Sequence, residues 1–150
     1  MERNLEYLLE KCALEEALLK YCTAVDQLSD IDFMLSCFTE DAVFDLGGLQ
    51  LPRYVGHKEI AAFFTQVFKD MSHHAHLVTN FGIVALAKDT ADIKAYITGM
   101  GRSKAGVDIL VYVRYDLKLR KTSQGWKISF FSEEPIMPMP DSVLAVHDKG

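Results

Sequence analysis

Residues 107–120, Val-Asp-Ile-Leu-Val-Tyr-Val-Arg-Tyr-Asp-Leu-Lys-Leu-Arg, constrain the fold more than any other part of the chain. Val107, Ile109, Val111, Val113, Tyr115, Leu117 and Leu119 share one parity, and Asp108, Tyr112, Arg114, Asp116, Lys118 and Arg120 share the other. A helix would scatter these two sets around its axis. An extended strand sorts them onto two faces, one packed and one at least half wet. So long a strand needs neighbours on both sides. Segments 76–86, 90–101 and 126–133 supply them, and in the second Ala91, Ile93, Ala95 and Ile97 alternate with Asp92, Lys94, Tyr96 and Thr98. The connections are short and turn-rich: Lys88-Asp89, residues 102–106 and residues 121–125. An antiparallel meander follows.

The first half has a different period. From residue 4 to about residue 28, Leu14, Ala17, Leu18, Tyr21, Cys22, Val25 and Leu28 recur at three- and four-residue steps, which makes one apolar helical stripe. Leu5, Leu8, Leu9 and Cys12 form an earlier, rotated stripe. Ser29 or Asp30 caps a short second helix through Phe38. Residues 42–46 read as a short strand stopped by Gly47-Gly48, and residues 57–70 as a third helix burying Ile60, Phe63, Phe64 and Val67. Helices first and a meander second is the segregated α+β arrangement. With 150 residues the chain makes one domain. The tail from residue 135 carries three prolines in six positions and cannot continue a central strand; it either drapes over the body or hangs loose.

The formal charge of −5 removes the electrostatic footprint expected of a nucleic-acid binder. The first residues lack the basic-then-apolar order of a signal peptide, and no apolar run is long enough for a membrane span. Three cysteines, Cys12, Cys22 and Cys37, without a CxxC pair, fit a reducing cytoplasm.

Three runs then carry a family likeness: residues 21–30 with Tyr21, Asp26 and Asp30, residues 37–44 with Cys37-Phe38-Thr39-Glu40-Asp41, and residues 54–60 with Tyr54-Val55-Gly56-His57. His76-Leu77-Val78-Thr79-Asn80 and Gly125-Trp126-Lys127-Ile128 continue it in order. Over residues 4–134 the chain resembles the nuclear transport factor 2-like superfamily, in its SnoaL-like polyketide cyclase and scytalone dehydratase-related branch. The resemblance implies a cone-shaped α+β barrel, three N-terminal helices on a curved, mostly antiparallel sheet, with residues 135–150 as an appended tail. It also implies a pocket at the open end for a small apolar molecule.

By the same resemblance Asp26 matches a pocket aspartate and His76 a pocket histidine. On its own the sequence already marks Asp26: a carboxylate near the C-terminal end of an apolar helix stripe is unfavourably placed unless it has a partner. Bonded to Asp26, His76 would be fixed in one tautomer and act as a general acid–base. The likeness to the dehydratase is incomplete, because Met100 stands where it has a second histidine and Leu46 where it has a tyrosine. Steroid isomerases of the superfamily place a tyrosine near Tyr21 and a second acid near Tyr115, but their catalytic aspartate also falls on Leu46.

Tyr21, Tyr54, Tyr96 and Tyr115 are candidate ligand-binding residues, each an apolar wall with a donor at its tip, and Met100 joins them by position. His73, His74 and His76 suggest a metal only at first sight. On a strand His74 and His76 share a face and His73 points away, and no CxxC or HExxH pattern supports zinc; a cluster with one inward histidine is the better account. No P-loop, dinucleotide fingerprint or nucleophile elbow is present, so no cofactor is expected. The expected function is that of a cofactor-free dehydratase, isomerase or cyclase acting on an apolar carbonyl compound. The alternative is a non-catalytic ligand-binding or assembly module. The Tyr- and Arg-bearing outer face of residues 107–120 is either solvated or the interface of a homodimer, with the dimer preferred.

Overall fold

The structure is a computed structural model and describes residues 2–148. Its order is α1 (Leu5–Gln27), α2 (Ile31–Ser36), β1 (Phe38–Asp45), β2 (Arg53–Val55), α3 (Gly56–Asp70), β3 (Met71–Leu86), β4 (Thr90–Ser103), β5 (Asp108–Thr122), β6 (Gly125–Pro135) and α4 (Ser142–His147). The six strands form one sheet in the order β2-β1-β6-β5-β4-β3. All pairings are antiparallel except β1 with β6, which run parallel. This is a curved, unclosed α+β cone, as the family resemblance implies.

Local chemistry sets the boundaries. Asn4 caps α1 by accepting from the Tyr7 amide at 3.0 Å, and Leu28 ends it in the left-handed region at φ 53°. Asp30, not Ser29, caps α2, accepting from the Phe33 amide at 2.9 Å. One face of α1 lies on the sheet through Leu14, Leu18, Tyr21, Cys22 and Val25, all buried. Its first turns overhang the sheet, so Leu5, Leu8 and Leu9 stay exposed. The anchor there is polar: the Trp126 indole donates to Glu10 at 2.7 Å, and Lys121 pairs with the same carboxylate.

Bends in the sheet make the cone. In β3 the pairing slips between Thr79 and Gly82, with Asn80 at φ 55°. Between β5 and β6 it slips at Lys118–Leu119. Such bulges sharpen the local twist and turn the sheet around α1. Strand β3 starts at Met71, directly after α3 and five residues before the expected start, so all three neighbouring histidines are on the strand. The tail is not loose. Its helix α4 buries Val143 and Val146, and Leu144 and Met139 lie against the core. Among the described residues no helix is long and apolar enough to cross a membrane.

Candidate functional site

A cavity of about 110 Å³ lies between α1, α3, α4 and the concave face of the sheet. Its walls are mostly apolar and aromatic, with Tyr21, Phe44, Phe64 and Tyr115 among them. Tyr21 packs edge-on against Tyr115 at 6.2 Å and tilted against Phe131 at 5.1 Å between ring centroids. Polar atoms come from few side chains: His74, His76, Tyr21, Tyr115, Glu133 and His147.

Asp26 sits in the last turn of α1, one residue past the buried Val25, and reaches across to β3. Its Oδ1 lies 2.6 Å from His76 Nδ1, and its Oδ2 accepts from the His76 backbone N–H at 3.1 Å. The carboxylate therefore holds strand and ring together. With Nδ1–H directed at Asp26, Nε2 is the free basic nitrogen of an imidazole that lines the cavity. Gly99, the cross-strand neighbour of His76, keeps this space clear: a Cβ there would come within 3.9 Å of Nε2 and 2.9 Å of the Val111 side chain.

His74 and His76 share a face, as strand geometry predicts, and both line the cavity, so two histidines face inward where one was expected. His74 lies edge-on to His76 at 5.6 Å and approaches the Val25 carbonyl through Nδ1 at 3.4 Å. His73 is on the other face beside the Ser72 hydroxyl. Burial first, then the neighbouring His76, holds His74 down at about 4, so it is neutral at working pH. A proton bound more readily by the unfolded chain makes folding weaken as pH falls. The contribution is complete above the unfolded value near 6.5 and is lost on the way down to about 4. We expect His74→Gln to remove on the order of 2 kcal/mol from the difference in urea-unfolding free energy between pH 7 and pH 4.5.

Tyr21 and Tyr115 are both buried, and burial raises both phenols well above their usual range; Glu133 adds to the rise in each. They stay protonated and can donate to an oxygen in the cavity. Met100 touches the rim of the cavity, although it lies on the outer parity of β4 with 37% exposure. Two expected ligand residues do not reach it. Tyr96 projects from the outer face of β4, because period two puts it opposite Ala95 and Ile97. Tyr54 stacks on Phe63 at 4.8 Å and lines a separate surface hollow near Asp148. Leu46 is in the cavity wall as an apolar residue.

Sequence reasoning missed Glu133. It is buried, lines the cavity, and burial pushes its carboxyl up to about 8. Counting by twos from the inward Trp126 and Ile128 puts Glu134 inside and Glu133 outside. The slip at Lys118–Leu119 reverses that parity, so Phe131 and Glu133 turn inward instead. A break in the expected alternation at Phe130-Phe131 was the one available signal. Among the described residues no three His, Cys, Asp or Glu side chains converge in a metal-binding group.

Similar structures agree with this architecture. A proposed aromatic ring hydroxylase from Novosphingobium aromaticivorans is 44% identical, with TM-score 0.87 over 89% of this chain and 93% of that one. A ketosteroid isomerase-like protein from Erwinia carotovora atroseptica is 26% identical, with TM-score 0.71 over 86% and 98%. A proposed scytalone dehydratase from Novosphingobium aromaticivorans, 17% identical with TM-score 0.79 over 87% of each chain, shares the fold. No curated protein matches the sequence. Residues 6–132 match the family model of the SnoaL-like domain, and the chain belongs to that family.

Proposed function

We propose that the protein is an acid–base enzyme of the dehydratase or isomerase kind, acting on a small, apolar, carbonyl-bearing ring compound. The observation that carries this reading is the 2.6 Å contact between Asp26 and His76 at the wall of an otherwise greasy cavity. Nε2 of His76 takes a proton from the carbon next to the carbonyl, and the electron pair moves onto the carbonyl oxygen. Asp26 stabilises the imidazolium that forms. The same proton then returns to a leaving hydroxyl, which departs as water, or to another carbon, which completes an isomerisation. Cavities on this scale take a single small ring. Aromatic walls and the relative named for aromatic ring hydroxylation also favour a cyclic ligand.

The test needs no knowledge of the natural substrate. Cyclohexanone in D₂O should exchange its α-protons when the protein is added, followed by NMR. His76→Asn should slow that exchange about a hundredfold or more. Exchange at the buffer rate with wild-type protein would end the reading.

The outer face favours a second reading, a module that builds an assembly. Leu77, Met100, Leu110 and Tyr112 are exposed side by side on β3, β4 and β5, flanked by the Arg114–Asp116 and Lys118–Asp92 pairs. Such a face suits a homodimer, with or without catalysis in the cavity. Leu110→Glu places a charge in the middle of it and should raise the dimer dissociation constant about thirtyfold or more in analytical ultracentrifugation. A wild-type monomer at micromolar concentration would remove the dimer.

A further inference from the structure

We propose that Glu133 is the anchoring acid of the cavity, donating a hydrogen bond as an uncharged carboxyl to the oxygen of a neutral carbonyl or hydroxyl ligand. The inference deepens the reading above and rests on it for the identity of the ligand class.

Geometry carries the argument. Glu133 is only 8% exposed, yet it lines the cavity, and burial alone, with no neighbouring charge or hydrogen bond, sets the state of its carboxyl. Among the described residues no fully buried side-chain polar atom lacks a partner, so a carboxyl whose remaining exposure is to a cavity marks a place where a ligand completes the bonding. It lies in register with Tyr115 on β5, and Tyr115 packs against Tyr21, so three donors cluster at one end. His76 is on β3, three strands away in the sheet order β6-β5-β4-β3. Curvature brings both ends into one cavity. A ring compound held by its oxygen at Glu133 would direct its neighbouring carbons toward His76.

The charge of the surroundings supports a neutral ligand. No lysine or arginine lines the cavity. The titratable groups that line the cavity with Glu133 are Tyr21 from α1, Tyr115 from β5, His74 and His76 from β3 and His147 from α4, and Cys22, Cys37 and Asp26 act on the two tyrosines from behind. Burial keeps both tyrosines protonated, pushes Cys22 up to about 12 and holds His74 down at about 4. None of these four changes charge between pH 6 and pH 9.5. Glu133 does, since its carboxyl is raised to about 8. Below that pH it donates, and above it the group becomes a carboxylate that repels a carbonyl oxygen.

Cyclohexanone is the probe, since it carries one carbonyl and does not ionise. Its dissociation constant, measured by NMR titration, should weaken about tenfold between pH 6.5 and pH 9.5 in the wild-type protein. Glu133→Gln is close in shape and cannot ionise, so its binding should be flat over that range. His76→Asn should keep the wild-type slope, because the slope belongs to Glu133, whereas α-proton exchange belongs to the dyad. Either can therefore fail without the other. A flat wild-type profile, a slope surviving in Glu133→Gln, a slope lost in His76→Asn, or no cyclohexanone binding at any pH would each overturn the proposal. So would tighter binding of cyclohexylamine than of cyclohexanone, which would make the site a receptor for an ammonium group.

Discussion

Asp26→Asn should leave the protein folded and slow α-proton exchange into bound cyclohexanone by about 10²–10⁴-fold. The substitution keeps the size of the side chain and an oxygen able to accept from the His76 backbone N–H. Its amide, however, brings an N–H donor as well. Turned toward Nδ1, that donor moves the imidazole proton to Nε2, so the nitrogen facing the cavity becomes a donor where a base is required. If the amide turns the other way, the tautomer survives but the negative charge that stabilised the imidazolium is gone. Both routes lower the rate without touching the cavity walls. Cyclohexanone binding should change by less than about threefold, which separates this variant from any that damages the pocket. Exchange within about threefold of wild type would show that Asp26 serves only to dock α1 on β3.

Gly48→Ala should carry the largest stability effect of any glycine-to-alanine change among the described residues. The turn after β1 crosses so close to β6 that a Cβ on Gly48 would sit 2.0 Å from the backbone carbonyl oxygen of Glu133. A flexible side chain could swing aside, but a backbone oxygen held in a sheet cannot. Either the turn lifts or the strand bows, at about 3 kcal/mol. For a chain of this length the melting temperature should fall by roughly 6–12 °C. Gly47→Ala is the control. Its Cβ would meet only the Asp45 carboxylate at 3.0 Å, and the drop should be less than half as large. Equal melting temperatures for the two variants would contradict the close approach.

Much of this was legible because period two and period 3.6 are strong signals where one face is buried. The β5 alternation predicted Val107, Ile109, Val111, Val113, Tyr115, Leu117 and Leu119 on the packed face; the last four, with Ile109, are buried, Val111 is half-buried, and Val107, ahead of the strand, is exposed. The α1 stripe was equally direct. The pairing of Asp26 with His76 came from family likeness, supported by a carboxylate with no local reason to be on an apolar stripe. Tyr96 shows a residue type outweighing its own pattern: alternation already put it outside, and its value as a donor did not change that. Glu133 shows the opposite failure. One irregular step between two strands reverses every side chain beyond it, and no composition or propensity records such a step. Tyr54 was lost for a third reason, since a three-residue strand on the sheet edge takes its orientation from packing on Phe44 and Phe63.

The parallel seam between β1 and β6 matters for how the molecule is made. It joins Val43 to Phe130 and Phe44 to Phe131, partners nearly ninety positions apart. During synthesis the helices and β1 leave the ribosome long before the strand that must cover them, with Phe44 and its aromatic neighbours still wet. Chaperone holdases have a target in that interval, and acquisition of native structure has to wait for the final hairpin.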